Sequence, residues 1–377
     1  MRHLALLAAA CLGAAPAADA VAQGLRPDLS VILDGAYRSR ALALDDRQRG
    51  FGLGHAELFA SGNVDDRFYA QAVAALHSHA GQTELDLEEA FVETRGLRGG
   101  VILRAGRFLS QLGYLNSQHP HADDFADRPL PYRAFFGSHY SDDGVRADWV
   151  LPVPFYWRIG AEVLRGARLA ERGPQAPAAG VFTLGTKIGG DIGVAHSWQA
   201  GIGFLRNRLP LGDHEHGHSH QHDAHDHHDH AHAHGARFTG RNLWIGDLVW
   251  KWAPGGNNRD RQLRLAAEYA RVTDPSPYAR SRDFHEGWYA WAVYRFHPQW
   301  EAGVRHGGLY VREPHGNHFH TGQLQETDVM LAWRHSHFSL VRLQYTQQRA
   351  RRGFADAGWA VTLQFVVSLG SHGAHAF

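Results

Sequence analysis

Apolar and polar residues alternate with a period of two along much of this 377-residue chain. In the clearest segment, 359–369, Trp359, Leu363 and Phe365 fall on one face, whereas Thr362 and Gln364 fall on the other. Such alternation predicts β-strands rather than helices. The segments run to about ten residues, the length of a strand that crosses a bilayer at a tilt, whereas soluble strands usually have about 5–6. The pattern therefore predicts an all-β fold, an antiparallel transmembrane β-barrel.

We count sixteen alternating segments, of which 100–108, 239–252 and 285–297 are ambiguous enough to leave fourteen or eighteen strands open. They lie at 30–38, 50–61, 67–78, 84–95, 100–108, 143–151, 155–166, 180–191, 194–206, 239–252, 261–272, 285–297, 299–311, 323–335, 337–348 and 358–369. Bacterial barrels alternate long outer loops with short periplasmic turns. The odd-numbered connections of this chain hold the long segments 109–142, 167–179, 207–238, 273–284, 312–322 and 349–357.

The chain begins with a pattern typical of secreted proteins. An Ala/Leu-rich run precedes Ala20-Val21-Ala22, so we interpret 1–22 as a signal peptide and 23–377 as the outer-membrane barrel. Acylation at Cys11, the only cysteine, is the alternative. The predicted barrel strands start almost directly after the predicted signal, so we expect no plug domain.

A histidine tract at 213–234 departs furthest from ordinary composition, with eleven histidines and five acidic residues in 22 positions. It falls in the predicted His-rich outer loop 207–238. Imidazole is a common metal ligand at neutral pH, so the tract predicts a flexible trap for zinc, nickel or copper. A solvated low-complexity insertion is the alternative. The candidate ligands are His214, His216, His218, His220, His222, His225, His227, His228, His230, His232 and His234.

The third outer loop, 109–142, is the longest connection outside the tract, and loops of that length are usually functional or disordered. It carries His119, His121, Asp123, Asp124 and Asp127 within nine residues, a donor set that suits zinc. The alternative is that these side chains cap turns and pair with nearby Arg128 and Arg133. Because this loop is an odd-numbered connection, it should lie on the outer side of the membrane, which places His119, His121 and His139 at the outer mouth of the barrel.

Several stretches resemble a bacterial outer-membrane family known as zinc-regulated outer-membrane receptors. The resemblance lies in Arg104–Phe108, Gly113–Asn116, His119–Leu130 and the ending Ser368–Phe377. It implies a barrel induced by zinc limitation and used in zinc uptake. Members are often described as TonB-dependent, but a chain with no expected plug domain favours passive passage through a porin-like channel.

Together these observations predict a Gram-negative outer-membrane channel for divalent metal, zinc above all, captured by His-rich outer loops. A general or anion-selective porin with an accessory metal-buffering loop, or a surface metal-sequestering barrel, are the alternatives. Expected partners are outer-membrane lipid, divalent metal ions and the barrel assembly machinery, with a homotrimer by analogy to porins. Zero formal net charge argues against a nucleic-acid partner. We expect no required cofactor and, without a catalytic motif, no enzyme activity.

Zinc binding by the full chain should weaken as the pH falls from about 7.5 to 5.5, because metal binds neutral imidazole, whose ordinary pKa is about 6.5. Titration calorimetry at both pH values measures this dependence. An affinity that is equal at both would count against histidine ligation by the tract.

Overall fold

The computed structural model describes residues 27–45, 47–79, 82–169, 176–211 and 236–370. These residues form a closed antiparallel β-barrel of sixteen strands, which confirms the predicted fold class. Strands pair with their sequence neighbours, and the last strand pairs with the first from Ser30↔Gly370 to Arg38↔Thr362. Closure removes both sheet edges, so strand backbone groups find partners without water.

The strands of the barrel are numbered in chain order. They are β1 (Asp28–Arg38), β2 (Gly50–Leu53), β3 (Ala56–Asn63), β4 (Phe68–His79), β5 (Gln82–Thr94), β6 (Val101–Leu109), β7 (Ser141–Val150), β8 (Tyr156–Leu164), β9 (Val181–Ile192), β10 (His196–Asn207), β11 (Asn242–Trp252), β12 (Gln262–Thr273), β13 (Phe284–His297), β14 (Trp300–His315), β15 (His318–Ser336), β16 (Ser339–Arg352) and β17 (Trp359–Gly370). Both β2 and β3 pair with β1, so they are two halves of one barrel strand.

The two faces of the strands differ as the alternation predicts. Leu363 and Phe365 of β17 are about half exposed on the outer surface, whereas Thr362 and Gln364 are buried in the lumen. Among the described residues, no helix is long and apolar enough to cross a membrane.

Connection lengths alternate, with one exception to the prediction. The long connections 110–140, 165–180 and 208–241 share one end of the barrel, which identifies it as the extracellular end. The prediction of a long loop at 312–322 was wrong, because β14 and β15 continue as a hairpin to His315↔His318. Gly316, with a φ of 59°, supplies the left-handed conformation that this tight turn needs.

Outer loop 3 (110–140) folds into the lumen instead of standing at the outer mouth. It contains short 3₁₀ turns at Leu115–Ser117 and Pro120–Ala122 and one helix, α1 (Leu130–Phe135), whose residues are all buried. Apolar side chains of the loop pack against strands from around the barrel. They include Leu112, Leu115, Phe125, Leu130, Tyr132, Phe135, Phe136 and Tyr140.

Polar contacts attach outer loop 3 to the barrel wall at β12. The Glu268 carboxylate accepts hydrogen bonds from the Tyr132 hydroxyl (3.0 Å) and the Tyr114 backbone N–H (3.0 Å). Gly113 has a φ of 69°, and a Cβ there would lie 2.4 Å from Glu268 Oε2, so the loop approaches its anchor closely only with glycine at this position.

Arg133 of α1 lies between two carboxylates, pairing with Glu326 of β15 and with Asp45 of outer loop 1 (39–49) at 3.0 Å. Its side chain is 1% exposed, so the ion pairs are shielded from solvent. The Arg133 guanidinium therefore links outer loops 1 and 3 inside the barrel, and Arg47 of outer loop 1 adds a second link through Asp127 at 3.3 Å.

Arg133→Ala should remove the nearest cation of Glu326, whose next arginine is Arg305 at 3.7 Å, and one of the two cations of Asp45, which keeps Arg38 at 2.6 Å. Removing one partner of a buried ion pair typically costs about 3–5 kcal/mol. We expect outer loop 3 to detach, the single-channel conductance in potassium chloride to rise, and the temperature of unfolding on heat-modifiability gels to fall. Arg349→Ala, at an exposed position on β16, is the matched control. Unchanged conductance and unchanged heat resistance would show that this pair does not hold the loop.

Candidate metal centre

Seven side chains meet where outer loop 3 lies against the second and fourth barrel strands. We call this group the His–Glu cluster. Its members are His55, Glu57, Glu88, Glu89, His119, His121 and His139. All seven side chains are at most 12% exposed, although buried carboxylates are costly unless they meet cations or hydrogen-bond donors.

A β-bulge brings two successive glutamates of β5 into the lumen. Val73 pairs with Glu89, but Ala74 pairs with Leu87, so Glu88 is the extra residue on the bulged strand. In a regular strand, neighbouring side chains point to opposite faces, and one carboxylate would meet lipid. The bulge instead turns both inward, where Glu88 and Glu89 are buried.

A break in the second barrel strand brings in the next pair. Regular pairing stops at Leu53 and resumes at Ala56, and the Gly54 N–H donates to the Asp34 carbonyl across the break (2.7 Å). His55 and Glu57, two residues apart, therefore face the lumen together and are both buried.

Outer loop 3 supplies the remaining histidines. His119 caps the Pro120–Ala122 turn and His121 lies within it, and their imidazole centroids lie 5.0 and 5.7 Å from the ring of Phe59, which contacts both edge-on. His139 follows Gly137 and Ser138, whose φ angles of 59° and 82° turn the chain toward the wall. Aromatic packing and a left-handed turn thus fix the three imidazoles.

Glu57 lies between imidazoles on both sides. Its Oε2 is 2.9 Å from His121 Nδ1 and 3.6 Å from His119 Nδ1, and its Oε1 is 3.3 Å from His55 Nε2. Glu88 is placed similarly: its Oε1 lies 2.8 Å from His55 Nε2, and its Oε2 lies 3.6 Å from His119 Nδ1. His139 Nε2 completes the contacts, 3.1 Å from Glu88 Oε1.

Glu89 contacts His119 from the other side of the ring. Its Oε2 lies 3.1 Å from His119 Nε2 and accepts a hydrogen bond from Gln71 (2.7 Å), and its Oε1 accepts one from the Leu109 N–H (2.9 Å). The carboxylate is therefore held in place and orients the imidazole.

Electrostatics in the cluster favour positive charge. Burial lowers the pKa of His121, and Glu57 only partly offsets that effect. Burial acts in the same direction on His119, but Glu57, Glu88 and Glu89 outweigh it and hold the pKa of that imidazole well above its usual value. A site that stabilises a proton among several carboxylates suits a cation.

The three aspartates predicted as ligands lie elsewhere. Asp123 pairs with Arg128 (2.6 Å), Asp124 pairs with Arg264 of β12, and Asp127 pairs with Arg38 of β1 (2.8 Å). The structure brings His119 and His121 together with glutamates of the wall instead. Arginine pairing explains the difference, because a carboxylate that is neutralised by a buried guanidinium is a poor ligand for a second cation.

The histidine tract, 213–234, falls outside the described residues, as does the predicted signal peptide, so both assignments stay predictions. His139, which parity placed at the outer mouth with His119 and His121, lies with them inside the barrel.

Members of the cluster line two cavities. The outer one, about 400 Å³, is lined by His55, Glu88 and His139 together with outer loop 1. The inner one, about 770 Å³, is lined by Glu89, His119 and His121 and extends toward the periplasmic turns beside Asp191. An ion that moves between the cavities along this wall meets the cluster.

The sequence analysis did not single out His55, Glu57, Glu88 or Glu89. Two signals were available. His55 and Glu57 share one strand face, and two successive glutamates in a membrane strand cannot both face the lumen without a bulge.

No protein-family model matches the chain. A protein of Aquifex aeolicus strain VF5, described as uncharacterized, is 30% identical over 355 residues, which span 88% of this chain and 71% of that protein.

Solved porins share the fold at low sequence identity. A loop L8 deletion mutant of the outer membrane protein OmpT of Vibrio cholerae is 10% identical with a TM-score of 0.57, covering 91% of this chain and 99% of that chain. OmpT solved in a trimer form has a TM-score of 0.56 at 10% identity and the same coverage. An anion-selective porin from Comamonas acidovorans has a TM-score of 0.55 at 10% identity, again with 91% and 99% covered.

Sequence identity shows the family and structural likeness shows the fold. The chain belongs to the same family as the Aquifex aeolicus protein, and it is a porin-like sixteen-stranded β-barrel of the Gram-negative outer membrane.

Proposed function

We propose that this porin-like channel admits divalent metal ions, zinc above all, across the outer membrane. The observation that carries the proposal is the position of the His–Glu cluster, buried in the lumen with members that line an outer and an inner cavity. Imidazole nitrogens and carboxylate oxygens are the donors that zinc binds at about 2.0–2.2 Å.

The donor types narrow the choice of cargo. Calcium and magnesium prefer sites built from oxygen alone, whereas imidazole suits zinc, copper and nickel. Intrinsic affinity favours copper over zinc, so discrimination between them would come from geometry or from supply. The resemblance to zinc-regulated receptors in the stretch His119–Leu130 supports zinc, because that stretch contains two histidines of the cluster.

The histidine tract fits this function as a capture device. It belongs to an extracellular connection, and its eleven imidazoles would raise the local metal concentration above the outer cavity. We propose a homotrimer in the lipid of the outer membrane, inserted by the barrel assembly machinery, by analogy with the trimer form of OmpT.

An anion-selective porin is the second candidate, and one observation favours it. The inner cavity is lined by Arg104, Arg146, Arg158 and Lys187. Arg104 and Arg146 pair with carboxylates, Arg104 with Glu93 at 2.5 Å and Arg146 with Asp148 at 2.9 Å, which lowers their effect on a passing anion. The sign of the reversal potential in a salt gradient separates a cation pathway from an anion pathway.

Glu57→Gln should lower zinc entry into vesicles that contain the channel and a zinc-sensitive dye by more than about tenfold, because it removes charge and a donor from the cluster. His306→Ala is the matched control, since this histidine is exposed on the wall and bonds to Thr327 instead. Equal rates of zinc entry through the Glu57→Gln variant and the parent protein would contradict the proposed route.

Deleting 213–234 separates the candidate functions of the whole protein. If the tract feeds a metal channel, growth on scarce zinc should fall, and block or modulation of the channel by micromolar zinc should weaken. A general porin predicts little change in either. A surface sequestering barrel predicts lost surface metal binding with unaltered permeability, measured by solute swelling of vesicles.

A further inference from the structure

We propose that the His–Glu cluster holds two divalent metal ions side by side, bridged by the carboxylates of Glu57 and Glu88. This inference deepens the proposed function and rests on it for the role of the site, since it specifies how the channel would hold its cargo. It follows from which oxygen of each glutamate faces which histidines.

The first oxygens of both glutamates belong to an outer half-site. Glu88 Oε1 lies 2.8 Å from His55 Nε2 and 3.1 Å from His139 Nε2, and Glu57 Oε1 lies 3.3 Å from the same atom of His55. Three donors thus converge, because the ligand atoms of His55, Glu57 and Glu88 all lie within 4.8 Å of one another, and His139 adds a second imidazole through its contact with Glu88.

The second oxygens belong to an inner half-site. Glu57 Oε2 lies 2.9 Å from His121 Nδ1 and 3.6 Å from His119 Nδ1, and Glu88 Oε2 lies 3.6 Å from the same atom of His119. This half also offers two nitrogens and two oxygens. Each glutamate therefore spans both halves, as a bridging carboxylate does.

The separations between donors suit a tetrahedral ion. Donors at about 2.0–2.1 Å from zinc lie roughly 3.3 Å apart in a tetrahedron. The nitrogen–oxygen separations named above, from 2.8 to 3.6 Å, scatter around that value in both halves. Two ions that share bridging ligands usually lie about 3.5–4 Å apart, which two carboxylates can span.

Glu89 supports the inner half from behind. It faces His119 Nε2 at 3.1 Å, so the ring can donate from Nε2 to Glu89 when a metal ion replaces the proton on Nδ1, which is directed at the two bridging glutamates. Because Gln71 and the Leu109 N–H hold Glu89, this orientation does not depend on the metal.

The halves open to different cavities. His55 and His139 line the outer cavity, and His119 and His121 line the inner one. An ion bound from outside would enter the outer half, and an ion released inward would leave from the inner half. Repulsion between two ions that share the same ligands would weaken the binding of each, which assists exit.

Zinc-soaked crystals of the full chain test the inference, with anomalous diffraction recorded at the zinc edge. We expect two peaks about 3.5–4 Å apart between Glu57 and Glu88. His139→Ala should remove the outer peak alone, and His121→Ala the inner peak alone. His306→Ala, the control, should keep both.

Zinc content in solution provides a second measurement, because the tract contributes equally to every full-length variant. After gel filtration, the parent protein should retain two more zinc ions per chain than the Glu57→Gln, Glu88→Gln double variant, and one more than His139→Ala. Heat-modifiable migration on gels confirms that each variant is folded, and the glutamine changes preserve side-chain shape.

The outcomes separate this inference from the proposed function. Two peaks support it, even if vesicle assays show no zinc entry, in which case only the transport function fails. One peak, or a difference of one zinc ion between the parent protein and the double variant, overturns the paired site and leaves a single-ion channel. No zinc at the cluster overturns both.

Discussion

Backbone groups in the hydrocarbon of a membrane have no water to bond, and this constraint governs the rest of the molecule. The sixteen strands satisfy these backbone groups by forming a closed barrel, in which β1 pairs with β17. Once closed, the barrel has an apolar outside and an enclosed inside whose small and polar side chains need partners. The lumen is therefore the only place in the spanning region where charge can be held.

Outer loop 3 occupies that lumen because it satisfies the charges there. Arg133 pairs with Glu326 across the interior, and Tyr132 donates to Glu268 on the far wall. Apolar side chains such as Phe135 and Tyr140 fill the space between these contacts. The same packing that narrows the channel also carries three histidines to the opposite wall. The constriction of the channel and the His–Glu cluster therefore both result from the inward fold of outer loop 3.

Two irregularities of the wall complete the site. The bulge at Glu88 and the break beside His55 each interrupt a strand that would otherwise show strict alternation. Bulges are common next to functional sites, because they re-aim side chains at little cost to the sheet. Here the result is three carboxylates within reach of four imidazoles, the donor set on which the proposed metal site rests.

The fold was predictable from the sequence because period-two alternation is a direct consequence of a sheet with two different faces. All sixteen predicted segments are strands, including the ambiguous ones at 100–108 and 239–252, and the loop parity followed from connection length. For the site, the sequence singled out His119 and His121, since histidines spaced by two in a long loop are conspicuous.

The remaining ligands were decided by tertiary structure. His55 and Glu57 lie more than sixty residues before His119, and only barrel closure with an inward loop brings them together. From the sequence, Asp124 and Asp127 were equally plausible metal ligands. In the structure they pair with Arg264 and Arg38, which are distant in sequence. Composition and periodicity are local and determined the strands. Which charges meet depends on contacts between distant segments, and those exist only in the closed barrel.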